Sequence, residues 1–265
     1  MDNWIVAVLI GIVEGLTEFL PVSSTGHMIL VGHMLGFEGE AASVFEVFIQ
    51  LGAILAVIFF YRERFQRFLT ADGWKVEKGF SAWHVAAGIV PVMGIGYLLH
   101  KPIKTYLFSP TTVIIGLVAG GIFMLVAERV FHSRPIERID NMTVKDCLYV
   151  GLFQMLALWP GFSRSGSMIA GGLCCNLSRK AAAEYSFIVA VPLMAVACVY
   201  DLLKSWSHLN ASDLDMIAIG FVVAFVVAYG SIIWFLKFLN RSTLASFAYY
   251  RFVVAAVSAW YFLFR

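Results

Sequence analysis

Apolar residues run in long blocks along this chain, and the breaks between blocks carry its charge. Residues 44–61, 83–99, 112–130, 183–203, 216–239 and 244–264 are near-continuous apolar runs. A membrane-spanning helix needs about 20 such residues, so each run predicts one span. Two other regions read differently. Residues 4–20 and 25–35 flank Pro21, and residues 144–159 and 165–177 flank Pro160. Neither member of either pair comfortably crosses a bilayer alone. Each pair predicts a helix-turn-helix that enters and leaves on one side. Broken backbone at membrane depth is tolerated where it is buried in protein or lines a cavity.

Basic residues crowd into the loops at 62–80, 129–145 (with Arg134), 179–180 and 237–241, and are sparse at 100–110 and 204–213 (with Asp213). The positive-inside rule places the first set in the cytoplasm. The count then closes on six spans, two re-entrant hairpins and both termini outside. The first hairpin enters from the outer face and the second from the inner. The expected fold is an all-α polytopic membrane protein with an inverted-topology repeat, a single domain over 1–265. Its first repeat covers about 1–130 and its second about 144–265. The two hairpin tips are expected to meet near the bilayer middle. Trp4, Trp83 and Trp206 near span ends are expected interface anchors.

Composition agrees. The chain is 60% hydrophobic and 14% charged, against about 25% charged for a soluble domain. Its net charge of +2 offers no nucleic-acid surface. The four cysteines have neither disulfide nor metal spacing. The first apolar run leads into Glu14 and Glu18 rather than a small-residue cleavage site, so no cleaved signal peptide is expected.

The two proline-containing stretches echo each other. With Ser23 laid on Ser163, Ser24 meets Arg164, Thr25 meets Ser165, Gly26 meets Gly166, Met28 meets Met168 and Ile29 meets Ile169, without a gap. They read as two halves of one polar site. Glu14 and Glu18, four residues apart, share a helix face. Two carboxylates that close in apolar surroundings call for a shared proton or a bound cation, and acids inside a membrane are functional by default. Ser23, Ser24 and Thr25 have the chemistry of helix caps. A helix start also offers free N–H groups to a phosphate. His27, which alone reads as a core histidine, becomes a candidate base or nucleophile beside these groups. Arg164 sits among Gly161, Ser163 and Ser165. Its planar fork suits a phosphate, the rival role being an ion pair to an acid on another helix. For Glu46, Glu184 and Arg251, pairing between helices is the expected role; Gln50 and Gln154 are weaker candidates.

The stretch Glu14-x-x-x-Glu18 with Pro21-Val22-Ser23-Ser24-Thr25-Gly26-His27, joined to Pro160-Gly161-Phe162-Ser163-Arg164-Ser165, closely resembles the undecaprenyl-diphosphatase family of bacteria, the bacitracin-resistance type. The likeness covers essentially the whole chain, including Phe45-Glu46-Val47 through Gln50-Leu51-Gly52. It implies hydrolysis of undecaprenyl diphosphate to undecaprenyl phosphate and inorganic phosphate, which recycles the lipid carrier of cell-wall synthesis. It further implies residence in the cytoplasmic membrane, action at the outer face and a divalent cation, Mg²⁺ or Ca²⁺, at Glu14 and Glu18. Glu14, Glu18, Ser24, His27, Ser163 and Arg164 carry the motif. Ser23, Thr25, Ser165 and Gly161 join Arg164 and Ser163 as expected substrate contacts. Ser24 is the expected attacker, assisted by His27 or Glu18, with attack by His27 or by water as alternatives. The family's usual threonine is Met168 here. A homodimer is expected from the prevalence of two-fold oligomers. The rival function is a lipid flippase or secondary transporter, since the same layout is common among transporters.

Overall fold

In a computed structural model, the structure describes residues 3–37, 39–107, 109–130, 135–205 and 214–264. Arg134, Trp206 and Asp213 lie outside these residues. Among the described residues, twelve α-helices follow in order: α1 (Asn3–Thr17), α2 (Ser24–Leu35), α3 (Glu40–Phe60), α4 (Arg62–Phe68), α5 (Ala82–Leu98), α6 (His100–Tyr106), α7 (Pro110–Val130), α8 (Val144–Phe153), α9 (Arg164–Cys174), α10 (Arg179–Ser205), α11 (Leu214–Leu239) and α12 (Ala245–Phe264). The only β-type pairing among these residues is an isolated bridge between Ile136 and Leu177.

Helices occupy all the expected positions, though not all are of spanning length. Among the described residues, three segments are long and apolar enough to cross a bilayer: Pro110–Arg129, Arg179–Leu203 and Leu214–Leu239. A fourth joins them if Val44–Phe60 and Arg62–Phe68, bent by 88°, count as one broken span. Trp4–Thr17 and Ala82–Leu98 are apolar but shorter. The protein is an all-helical integral membrane protein. The loops expected at 62–80 and 100–110 contain the short helices α4 and α6, seven residues each. Less than two full turns leaves too little periodicity to read in advance.

Local sequence sets several helix ends. At α8, Thr143 Oγ1 accepts from Asp146 N–H at 3.2 Å and Asp146 Oδ2 accepts from Thr143 N–H at 2.8 Å, a reciprocal cap. α2 stops at Gly36, whose φ of 64° is left-handed, and Phe37 N–H returns to Gly32 O at 2.8 Å.

Helix pairing is dominated by α1 on α11, α3 on α11, α12 on α7, α3 on α10 and α5 on α8. In lipid no hydrophobic effect drives helices together, so close backbone approach matters more. Gly52 provides it: a Cβ there would lie 2.5 Å from the Phe221 carbonyl oxygen. Two polar clasps join the loops. Arg179 donates to both oxygens of Glu128, at 2.7 and 2.6 Å, while Glu128 Oε1 also accepts from Leu244 N–H at 2.8 Å. This connects α7, α10 and the start of α12. Arg64 grips Asp140 with two bonds of 2.8 Å, and the guanidinium holds the Asp140 carboxyl below its usual range.

Candidate active site

Two loops, residues 18–23 and 159–163, lead into α2 and α9 and meet inside the helical bundle. Ser23 and Ser163, matched by the sequence echo, share an unusual backbone: φ is 71° at Ser23 and 75° at Ser163. Non-glycine residues rarely adopt positive φ, and such strain costs of order 1–3 kcal/mol unless the surroundings enforce it. Each serine immediately precedes a helix, so the strained residue turns the first helical residue inward. These first residues are Ser24 and Arg164.

Glu18 joins them. Ser24 Oγ donates to Glu18 Oε2 at 2.6 Å, and Arg164 Nη2 donates to Glu18 Oε1 at 3.1 Å. Arg164 Nη1 reaches the Ser186 carbonyl on α10 at 3.1 Å. The Glu18 side chain is 7% exposed and that of Arg164 14%, so this is a sheltered pair held through Nη2 alone, with Nη1 spent on the Ser186 carbonyl. A cavity of about 360 Å³ opens against it, lined on the polar side by Glu18, Ser23, Ser24, Thr25, Ser163 and Arg164. Gly161 also lines it. Its φ is 89°, and a Cβ there would come within 2.2 Å of the Val113 carbonyl oxygen. Leu193, Met194 and Ala197 of α10 form an apolar wall.

The two loops are stitched to each other. The Ser163 hydroxyl accepts from Gly166 N–H at 3.1 Å and lies 3.2 Å from Ser165 Oγ, which donates to the Leu20 carbonyl at 2.8 Å. Arg251 completes the join. The side chain is fully buried and donates to Pro21 O (3.4 Å) in one loop and Gly161 O (2.8 Å) in the other. It also reaches Leu117 O and Gly116 O, at 3.1 and 3.2 Å. The expected partner on another helix is thus a set of carbonyls rather than an acid. No salt bridge reaches Glu46 or Glu184 among the described residues. The carbonyls of Arg251 carry no side-chain signature, so nothing in the sequence announced this role.

Three expected site residues stand apart from the cavity lining: Ser165, buried and spent on the Leu20 carbonyl, His27 and Glu14. His27 Nδ1 lies 2.9 Å from the Ser23 carbonyl, and Nε2 lies 2.8 Å from the Tyr250 hydroxyl. A carbonyl only accepts, so Nδ1 carries the proton and Nε2 accepts from Tyr250. No hydrogen bond links His27 to Ser24, Glu18 or Arg164 among the described residues. The imidazole instead holds the strained turn at Ser23. Glu14 is 1% exposed, and both carboxylate oxygens lack a donor. Its electrostatic neighbours include Glu18 and Glu46. Orphaned buried oxygens demand a proton or a cation, whereas both Glu18 oxygens already have donors in Ser24 and Arg164. No group of three or more His, Cys, Asp or Glu side chains converges among the described residues. An ion here would rest on two carboxylates and on the ligand's own oxygens, as Mg²⁺ commonly does.

The sequence profile of the family described as bacitracin resistance protein BacA matches residues 7–257. The chain belongs to the BacA family. Among its relatives, undecaprenyl-diphosphatase 1 of Bacillus thuringiensis (strain Al Hakam) is 50% identical over 256 residues, covering 96% of this chain and 97% of the relative. The proteins of the same name from Bacillus cereus and Bacillus anthracis match to the same extent. The BacA match takes in both loops, the Glu18–Ser24–Arg164 constellation and Arg251.

Proposed function

We propose that this protein is an undecaprenyl-diphosphate phosphatase: it hydrolyses undecaprenyl diphosphate to undecaprenyl phosphate and inorganic phosphate, recycling the lipid carrier of the cell wall. The observation that carries the reading is Glu18 bonded at once to Ser24 and Arg164 beside a membrane-embedded cavity. That arrangement holds a hydroxyl, a proton acceptor and an anion-binding cation within one contact shell, which is what phosphoryl transfer needs. The relatives' name adds the substrate.

In this reading the diphosphate sits in the cavity and the prenyl tail leaves over Leu193, Met194 and Ala197. Arg164 neutralises phosphate oxygens from its free N–H groups. The first turn of α2 supplies more donors. Ser163 caps α9 through Gly166, whereas Ser23 makes no side-chain cap to α2. The N–H groups at the start of α2 therefore stay available for a phosphate. Ser24 Oγ attacks the terminal phosphorus and passes its proton to Glu18. The bond from that phosphorus to the bridging oxygen breaks, and undecaprenyl phosphate leaves. Water then cleaves the Ser24 phosphoester, giving inorganic phosphate and restoring the hydroxyl. A divalent ion held by Glu14 and Glu18 would add charge neutralisation of the phosphates. His27, anchored by Tyr250, fixes the turn that presents Ser24.

The membrane arrangement we propose has six spans and two re-entrant hairpins with inverted repeats, in the bacterial cytoplasmic membrane, with the site opening outward. Helix pairing supports a two-fold relation in part, the strong α3–α11 pairing having only a slight counterpart in α5–α10. Matching α1, α2, α3, α5 and α7 to α8, α9, α10, α11 and α12 turns the α1–α11 pair into the α8–α5 pair. It returns α3–α10 and α7–α12 to themselves. The same architecture suits a flippase, so the deciding assay is phosphate release by purified protein in detergent, where no second side exists to transport to. Release that falls on chelation and returns with Mg²⁺ or Ca²⁺ is expected. No release in either condition overturns the phosphatase reading.

A further inference from the structure

The diphosphate site described above has one polar group that neither loop provides. Gln50 lies in the middle of α3 and lines the cavity together with Glu18, Ser24 and Arg164. α3 and α10 contribute Gln50, Leu193, Met194 and Ala197 to the lining, so Gln50 is the single polar side chain on an otherwise apolar wall. The Oε1 atom accepts from Cys198 Sγ at 3.6 Å, and Cys198 is 2% exposed on α10. No hydrogen bond among the described residues uses Nε2.

We propose that Gln50 is a further substrate-binding residue, donating from its amide nitrogen to the diphosphate, with the Cys198 thiol fixing which end of the amide faces the cavity. This rests on the phosphatase reading and extends it to the wall formed by α3 and α10. Electrostatics gives the reason. Arg164 and Glu18 form one neutral pair, while a diphosphate brings at least two negative charges. Donors beyond Arg164 are needed, and a buried lysine or arginine on the α3–α10 wall would require a counter-charge of its own. A neutral amide donates without that cost. Its weakness is that a rotation of half a turn presents an acceptor to the phosphate instead. A weak thiol donor on Oε1 removes that ambiguity. Cys198 is thus a positioning residue, acting through Gln50.

The test compares Gln50→Leu, Gln50→Glu, Cys198→Ala and Cys198→Ser with the wild type. Each is purified in detergent and assayed for phosphate release across undecaprenyl diphosphate concentrations, with thermal melting to confirm folding. Loss of a neutral donor to a charged oxygen lowers kcat/KM about 10- to 100-fold. The phosphates are anionic before and during transfer, so most of that change falls on KM. Gln50→Glu keeps the size, places a carboxylate against the phosphates, and falls below Gln50→Leu. Cys198→Ala raises KM about two- to fivefold, and Cys198→Ser, which keeps a donor, returns it to near the wild-type value. A Gln50→Glu enzyme with wild-type KM overturns the proposal, and this variant decides if Gln50→Leu fails to fold. Absence of rescue by Cys198→Ser overturns the role of the thiol alone. A wild-type protein that releases no phosphate overturns the parent reading and this one with it; an active wild type beside an unaffected Gln50→Glu overturns only this one.

Discussion

Replacing Arg164 by lysine isolates the geometry of the proposed phosphate clamp from its charge. The guanidinium now spans two elements, with Nη2 on Glu18 and Nη1 on the Ser186 carbonyl, each at 3.1 Å. Its remaining N–H groups are free for substrate. Alanine is the poorer probe. It would leave a Glu18 carboxylate whose side chain is only 7% exposed without its cation. Breaking a buried pair that way costs about 3–5 kcal/mol, from a total of about 5–15 kcal/mol, so folding and chemistry would fail together. Lysine keeps the positive charge beside Glu18. Its single ammonium cannot hold Glu18, the Ser186 carbonyl and a phosphate in the same planar fork. One charge-assisted hydrogen bond is therefore lost in the complex, about 1.5–3 kcal/mol. That corresponds to a fall of about 10- to 150-fold in kcat/KM. Phosphate release by purified Arg164→Lys in detergent measures it, with the melting temperature expected to stay close to that of the wild type. A lysine enzyme within about twofold of wild-type kcat/KM would show that the fork is not used and that Arg164 serves only to neutralise Glu18.

Three other outcomes follow from the same contacts. Ser24→Ala should retain less than about one-thousandth of wild-type turnover while melting normally; substantial release, or a phosphorylated residue mapped elsewhere than Ser24, removes it as the nucleophile. Arg251→Met should lower stability by about 1–3 kcal/mol for each carbonyl left without a donor, measured by unfolding in mixed detergent, because four backbone carbonyls lose their bond to the guanidinium; an unchanged unfolding midpoint refutes the suturing role. The Arg64–Asp140 clasp depresses the Asp140 carboxyl, so its contribution is complete above the unfolded value near 4 and fades as pH falls through the lower folded value. At pH 7 Asp140→Asn should cost under about 1 kcal/mol, since the pair is about one-third exposed, and the gap to wild type should close on acidification in a pH series of melting curves. A gap that widens toward acid is incompatible with this linkage.

The parts of the site that were legible in the sequence share a feature: their meaning is local. Ser23 and Ser163 fall at equal places in two matching stretches, and their backbones match closely, with φ of 71° and 75°. Glu18, Ser24 and Arg164 announced themselves as polar groups in apolar surroundings. What stayed illegible depends on distant or anonymous partners. Tyr250, which holds His27, is 223 residues away in sequence and looked like any aromatic on a membrane helix. The contact gives His27 a role in supporting the turn that the sequence did not show. Gln50 read as a weak candidate because an amide in an apolar helix has many uses. The number of spanning helices was also harder to read than their positions, since α5, read as a span, is apolar without reaching full length.

Arg251 shows why such a site requires a cation that touches no acid. A helix interrupted inside a membrane leaves carbonyls that water cannot reach, and each must find a donor within the protein. Pro21 and Gly161 lie at the two interruptions, and one guanidinium serves both. An acid paired with Arg251 would occupy the fork and leave these carbonyls unmet. With the carbonyl side of the loops satisfied from α12, the N–H groups at the start of α2, which no side chain caps, and Arg164 are left for the cavity. On the proposed reading, the division of labour between the two arginines thus follows from one constraint: one satisfies the loop carbonyls so that the other is left for the substrate.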